Sequence, residues 1–228
     1  MKSGNADALK SALILLLLSL PVVLLALCVH ETAHGYVAKK LGDPTASYMG
    51  RLTLNPLKHL DPFGFLAMLC FGFGWAKPVP IDTRYFKKPR RDMAICAIAG
   101  PLSNILLALI FTLLKLLLLF VPFEGSEFYL SFLSYAYLLF DLGVIMNISL
   151  AVFNLLPIPP LDGSKVLYKF LSPSTYFKVL QYEQYITYGF FFYLLIESFL
   201  PIQIVSTVIG FISGHIYDLL NLILNLAY

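Results

Sequence analysis

The chain has 228 residues, 59% of them hydrophobic and only 13% charged, with a mean hydropathy of +0.80. That balance excludes an ordinary soluble domain and points to a membrane-embedded chain. The net charge of +3 and the lack of any basic–aromatic reading motif exclude a nucleic-acid partner.

An unbroken apolar run from Ser11 to Val29 leads into His30-Glu31-Thr32-Ala33-His34. Lys2 and Lys10 before it resemble the start of a signal peptide, but the run is longer than a signal's apolar core. It therefore reads as a retained transmembrane helix, roughly Ala8 to Leu41, ended by Gly42-Asp43-Pro44. The five-residue cluster reads H-E-x-x-H. On a helix its two histidines stack one turn apart on one face, so both imidazoles can reach one metal ion, with Glu31 beside them to handle a proton. With four His and five Glu in the chain, chance would produce this pattern about once in a thousand such sequences. Ionisable groups at membrane depth are costly, which makes three of them in one turn a functional signal.

Gly42 to Arg91 is mixed. Asp43-Pro44, Asn55-Pro56 and Asp61-Pro62-Phe63-Gly64 are turn signals. Phe63 to Ala76 is apolar but too short to cross a bilayer, and Lys77-Pro78-Val79-Pro80-Ile81-Asp82 reads as extended. A short re-entrant or hairpin element is expected here. Arg84 to Arg91 is a basic patch suited to a charged loop facing the membrane. The three cysteines, Cys28, Cys70 and Cys96, lie in apolar surroundings without paired spacing and read as small buried hydrophobes.

Further spans are expected over Asp92–Phe120, Phe128–Leu156, Tyr176–Leu200 and Ile202–Leu226, five in all. The third ends at Pro157-Ile158-Pro159-Pro160-Leu161-Asp162-Gly163. No linker or repeat marks a boundary, so residues 1–228 form one membrane-embedded domain. Its motif-bearing core is about 8–172, and two C-terminal helices follow at about 176–226. The expected fold class is an all-α membrane protein, a polytopic helix bundle with a short re-entrant β element.

From Lys39 to Arg91 there are ten Lys and Arg against three Asp, whereas Val121–Glu127 carries two Glu and no base. The positive-inside rule then puts the end of the first helix and the proline-rich break on the cytoplasmic side. H-E-x-x-H and Asp162 share that depth. A hydrolytic zinc takes three protein ligands, and the candidates for the third are Asp162, Asp141, His59, Glu197, His215 and Asp218. Asp162 is best placed, although an aspartate there could also cap the helix that begins near Gly163.

The H-E-x-x-H helix, together with Asn154-Leu155-Leu156-Pro157-Ile158-Pro159-Pro160-Leu161-Asp162-Gly163, resembles the site-2 protease family of intramembrane zinc metalloproteases. Arg51-Leu52-Thr53-Leu54-Asn55-Pro56-Leu57-Lys58-His59-Leu60-Asp61-Pro62-Phe63-Gly64 is similar to a signature of its compact bacterial members. Gly100-Pro101-Leu102-Ser103-Asn104 resembles a further family motif. The resemblance covers about Val22 to Lys169 and lacks the accessory domains of many relatives. It implies Zn2+ held by His30, His34 and Asp162, with Glu31 as general base and acid. It implies substrate contacts at Asn104 and Asn154, for which an interhelical hydrogen bond is the alternative. It also implies a re-entrant β edge at Gly74–Asp82 that pairs with an unwound substrate. The expected substrate is a transmembrane protein or peptide, cut in a bacterial cytoplasmic membrane near its cytoplasmic face. A divalent-metal transporter or a non-enzymatic scaffold is the alternative, but such a protein should show inverted repeats, and none is visible.

Overall fold

The computed structural model describes residues 2–71, 74–197 and 199–225. Eight α-helices occur among them: α1 Lys2–Lys40, α2 Thr45–Tyr48, α3 Pro62–Phe71, α4 Pro89–Leu119, α5 Glu127–Leu155, α6 Asp162–Tyr168, α7 Pro173–Glu197 and α8 Ile204–Asn225. Four of them, α1, α4, α5 and α8, are long and apolar enough to cross a membrane. The chain is a multi-pass helical membrane protein, with no sheet among the described residues.

Three helix ends have a clear local cause. α1 stops where Gly42 takes φ +113°, a left-handed conformation that favours glycine. Asp43 then turns inward, fully buried, and accepts from the amides of Thr45 at 2.9 Å and Asp82 at 2.7 Å. α4 opens with Pro89, whose missing N–H costs nothing in a first turn. Ser126 caps α5 by accepting from Tyr129 N at 3.3 Å.

α4 and α5 form the packed centre, with Ala108, Phe111, Val144, Ile148 and Val152 interlocked and α8 laid against them. Gly143 permits the close approach, since a Cβ there would sit 2.4 Å from the Phe111 ring. The same three helices bury one ion pair. Lys115, 1% exposed, donates to Asp141, and Tyr217 Oη donates to the same Asp141 oxygen at 2.7 Å. The rings of Tyr137 and Tyr217 lie 5.0 and 5.3 Å from the Lys115 ammonium.

The sequence predicts five spans; among the described residues four helices are long and apolar enough to cross. Gly210 and Gly214 share a cavity with Ile145 and Ile148, Tyr217 reaches Asp141, and Asn221 reaches Lys115 near the end of α4. Numbers that rise along α8 thus fall along α5, so α8 starts at the end where α5 stops. α7 begins and ends there too. Tyr176 stacks under Arg90 and beside Tyr168, while Phe190 packs on Phe153. The physical reason is composition: Lys178, Gln181, Glu183 and Gln184 make the first half of α7 too polar to cross.

The expected re-entrant β element is not found among the described residues. Pro62–Phe71 is instead a helix, N-capped by Asp61, which accepts from Gly64 N at 2.8 Å. Residues 74–82 hold neither helix nor strand and make a single isolated bridge, Ala76 to Leu60. Residues 72 and 73, inside the expected element, and the Cys70 side chain lie outside the described part. Cys28 and Cys96 are buried as expected.

The buried ion pair sets a stability test. Asp141→Asn leaves the Lys115 charge uncompensated and should destabilise the bundle by about 3 kcal/mol, measured by unfolding in mixed micelles. Adding Lys115→Met to that variant should recover most of the loss.

Candidate metal centre

His30 and His34 occupy the last turns of α1, four residues apart, and both point inward, 4% and 7% exposed. Their rings meet edge to face, with the two Nε2 atoms 3.0 Å apart. Asp162 arrives from the far side of the bundle. Its Oδ2 lies 3.1 Å from His30 Nε2 and 3.0 Å from His34 Nε2. The proline-rich break brings it there: α5 stops at Leu155, and α6 restarts at Asp162, with Leu161 in the N-cap position. Asp162 is therefore not the cap, and its carboxylate points across to α1. Gly163 seats this turn, because a Cβ would fall 2.1 Å from the Leu155 carbonyl oxygen. The opposite wall is Gly100 of α4, where a Cβ would stand 2.4 Å from His34 Nε2 and 2.6 Å from His30 Nε2.

The protons can be assigned. Asn104 Nδ2 donates to the Ala26 carbonyl at 3.1 Å and to Asn147 Oδ1 at 3.0 Å, which turns Asn104 Oδ1 toward His30 Nδ1 at 2.6 Å. His30 Nδ1 must then be the donor. His34 Nδ1 faces the Cys96 carbonyl at 2.7 Å and is also the donor. In the neutral tautomer each Nε2 then carries a lone pair. Two lone pairs and a carboxylate oxygen face one another at 3.0–3.1 Å with no hydrogen between them. Three acceptors this close repel unless a cation sits among them. Tetrahedral zinc with nitrogen and oxygen ligands spaces them about 3.3 Å apart, so the donor set fits that ion. Among the described residues these three form the one such group.

Burial opposes charge on Asp162, and the nearby Lys165 ammonium favours it. Lys165 Nζ sits 3.3 Å from the other oxygen, Oδ1. Glu31 is half-buried on the same turn of α1 as His30. Its Oε2 accepts from the Val79 amide at 2.8 Å, and its Oε1 accepts no hydrogen bond from the described residues.

The two asparagines stand differently from one another. Asn104 is fully buried, with both ends of its amide engaged on His30, Ala26 and Asn147. Asn154 is half-buried and donates only to Leu150 of its own helix at 2.9 Å. Asn147, which donates onward to the Gly143 carbonyl at 2.8 Å, is a member of the site that its place on a long apolar run does not reveal.

The remaining ligand candidates lie elsewhere. Asp141 pairs with Lys115, Glu197 accepts from Val205 N at 2.7 Å and Ser206 N at 3.1 Å, and His215 and Asp218 are exposed. His59 is buried and donates to the Thr53 carbonyl at 2.7 Å, the oxygen that also accepts from Thr32 Oγ1. The expected substrate edge is largely engaged within the chain. The amide of Lys77 goes to His59, that of Val79 to Glu31, and the carbonyls of Lys77 and Pro78 accept from Arg51.

Gly100→Ala should cost at least tenfold in zinc affinity, since its methyl enters the space between the imidazoles. Gly210→Ala, with nothing within 4 Å of the added carbon, should leave zinc retention unchanged. Zinc content after equilibration with a chelator measures both.

Residues 132–196 match peptidase family M50. The zinc metalloprotease YwhC of Bacillus subtilis, as that protein is named, is 44% identical over 175 residues, covering 76% of this chain and 77% of the relative. A Mycolicibacterium smegmatis protein named zinc metalloprotease Rip2 is 32% identical over 160 residues, 67% of this chain and 56% of the relative. A Methanocaldococcus jannaschii protein named zinc metalloprotease MJ0611 is 35% identical over 145 residues, 60% of this chain and 62% of the relative. The chain thus spans little more than half the length of these last two. No solved structure matches.

Proposed function

We infer, because this chain belongs to peptidase family M50, the site-2 protease family, and is a zinc metalloprotease, that it hydrolyses peptide bonds within or next to transmembrane segments of membrane proteins. The observation that supports this most directly is the triangle of three acceptors at 3.0–3.1 Å, set at one end of a bundle of membrane-crossing helices.

His30, His34 and Asp162 would hold the zinc. When bound, zinc supplies Lewis-acid polarisation of the scissile carbonyl and an acidified water. Glu31 is the general base. The Val79 amide fixes one of its oxygens, leaving the other to take a proton from the attacking water and return it to the leaving nitrogen. Asn104 orients His30, so we assign it to ring positioning. Asn154, whose Oδ1 accepts nothing from the described residues, is the asparagine left available to a substrate backbone.

A helical substrate hides its carbonyls in its own hydrogen bonds, so it must unwind before attack. Helix-breaking residues near the cut assist that step. The surplus of Lys and Arg at the end that carries His30, His34 and Asp162 supports a site at the cytoplasmic side of the cell membrane.

Glu31→Gln should keep zinc at one per chain while cleavage of a transmembrane reporter falls about 10²–10⁴-fold. His30→Ala with His34→Ala should lose both zinc and cleavage. Undiminished turnover in Glu31→Gln would remove Glu31 from its role.

A further inference from the structure

A cleft of about 80 Å³ opens between the start of α4, helix α6 and the start of α7, beside the metal centre but outside it. Thr83, Pro89, Arg90, Lys165, Tyr168 and Tyr176 line it. Arg90 is the unusual member. It is partly buried, its guanidinium carbon lies 4.6 Å from the centre of the Tyr176 ring, and its Nη2 donates to the carbonyls of Tyr168 at 2.6 Å and Leu171 at 2.7 Å. Those partners are neutral. No carboxylate pairs with Arg90 among the described residues, and its Nε is shielded with no hydrogen-bond partner.

A partly buried cation without a counter-ion is costly, and an orphaned guanidinium donor adds to the cost. The acids nearby do not compensate it. Glu183 takes the Tyr168 hydroxyl at 3.4 Å, Asp162 takes Lys165, and Asp92 accepts from the amide of Lys88. Segments 82–92 and 162–183 together carry eight Lys and Arg against four Asp and Glu. The positive end of the α4 dipole, at Pro89 and Arg90, adds to the same field. The net local charge is positive, and the cleft admits a group of a few heavy atoms.

We propose that this cleft is an anion site that takes a phosphate group, with Arg90 as its principal ligand and Lys165 and Thr83 at its rim. Phosphate suits it better than carboxylate, because its oxygens can meet donors on several walls at once. The cleft adjoins the basic segment Arg84 to Arg91, whose composition suits a membrane surface, which makes the headgroup of an anionic phospholipid the expected source and aqueous phosphate the other.

The test uses the zinc-loaded full chain in neutral detergent. Native mass spectrometry counts bound dioctanoyl phosphatidylglycerol, with dioctanoylglycerol as the same chains lacking phosphate, and inorganic phosphate as a competitor. One phosphatidylglycerol per chain, at least tenfold preferred over the diacylglycerol and weakened about tenfold in Arg90→Gln, is the expected result. Inorganic phosphate that binds where phosphatidylglycerol does not would support the site with the aqueous source. Equal binding by the wild type and a folded, zinc-retaining Arg90→Gln, or equal binding of both lipids, would overturn it. Should Arg90→Gln not fold, a photoactivatable phosphatidylglycerol on the wild type decides. Cross-links to peptides holding residues 83–93 or 165–176 support the site, and cross-links solely elsewhere overturn it.

Discussion

Three acceptor atoms held at 3.0–3.1 Å, with no proton assigned between them, are the constraint that the surrounding structure serves. Without a cation the arrangement is repulsive, so it persists only where neighbours fix each member. Asn104 and the Cys96 carbonyl fix the rings through their Nδ1 atoms. Gly100 keeps α4 from filling the space between them, and Gly163 lets α6 close on the end of α5. Removing a methyl group from α4 and another from α6 is what brings the chemistry of α1 and Asp162 into one place.

The bilayer makes such polar groups expensive, and the molecule answers by completing the chain of bonds. Asn104 passes to Asn147, and Asn147 to the Gly143 carbonyl. Gly143 also accommodates Phe111, so the polar chain ends where the apolar contact between α4 and α5 begins. The Lys115–Asp141 pair is a separate solution toward the other end of the same helices, where two tyrosine rings replace lost hydration. Along α4, α5 and α8 the buried polar groups are thereby interleaved with the apolar contact, each one partnered.

How much of this the sequence revealed depended on whether a signal was local. His30 and His34 are spaced by the helical period itself, and Asp162 follows a proline break that few alternatives explain. Asn147 was hidden because its partner Asn104 is 43 positions away, and one Asn on an apolar run does not announce its neighbour. The re-entrant β element failed for a different reason. Glycine content and shortness argued against a spanning helix over Phe63–Ala76, but they do not forbid a ten-residue helix capped by Asp61. The apolar second half of α7 has the composition of a span. Its polar first half, together with the antiparallel course of α8 along α5, returns the chain to the end from which it started.

Asp162 links the metal centre to the wider surface through its two oxygens. Oδ2 faces the imidazoles, while Oδ1 lies 3.3 Å from Lys165, whose Nζ is also 3.2 Å from the Pro160 carbonyl. A carboxylate held at one oxygen by an ammonium is a weaker donor at the other than a free carboxylate, so Lys165 tunes how strongly Asp162 competes for a cation. Lys165 also forms the rim of the Arg90 cleft. An anion there would share the ammonium with Asp162 and return electron density to the metal-facing oxygen. The proline break therefore delivers a carboxylate to the two imidazoles and, three residues later, an ammonium that engages its other oxygen.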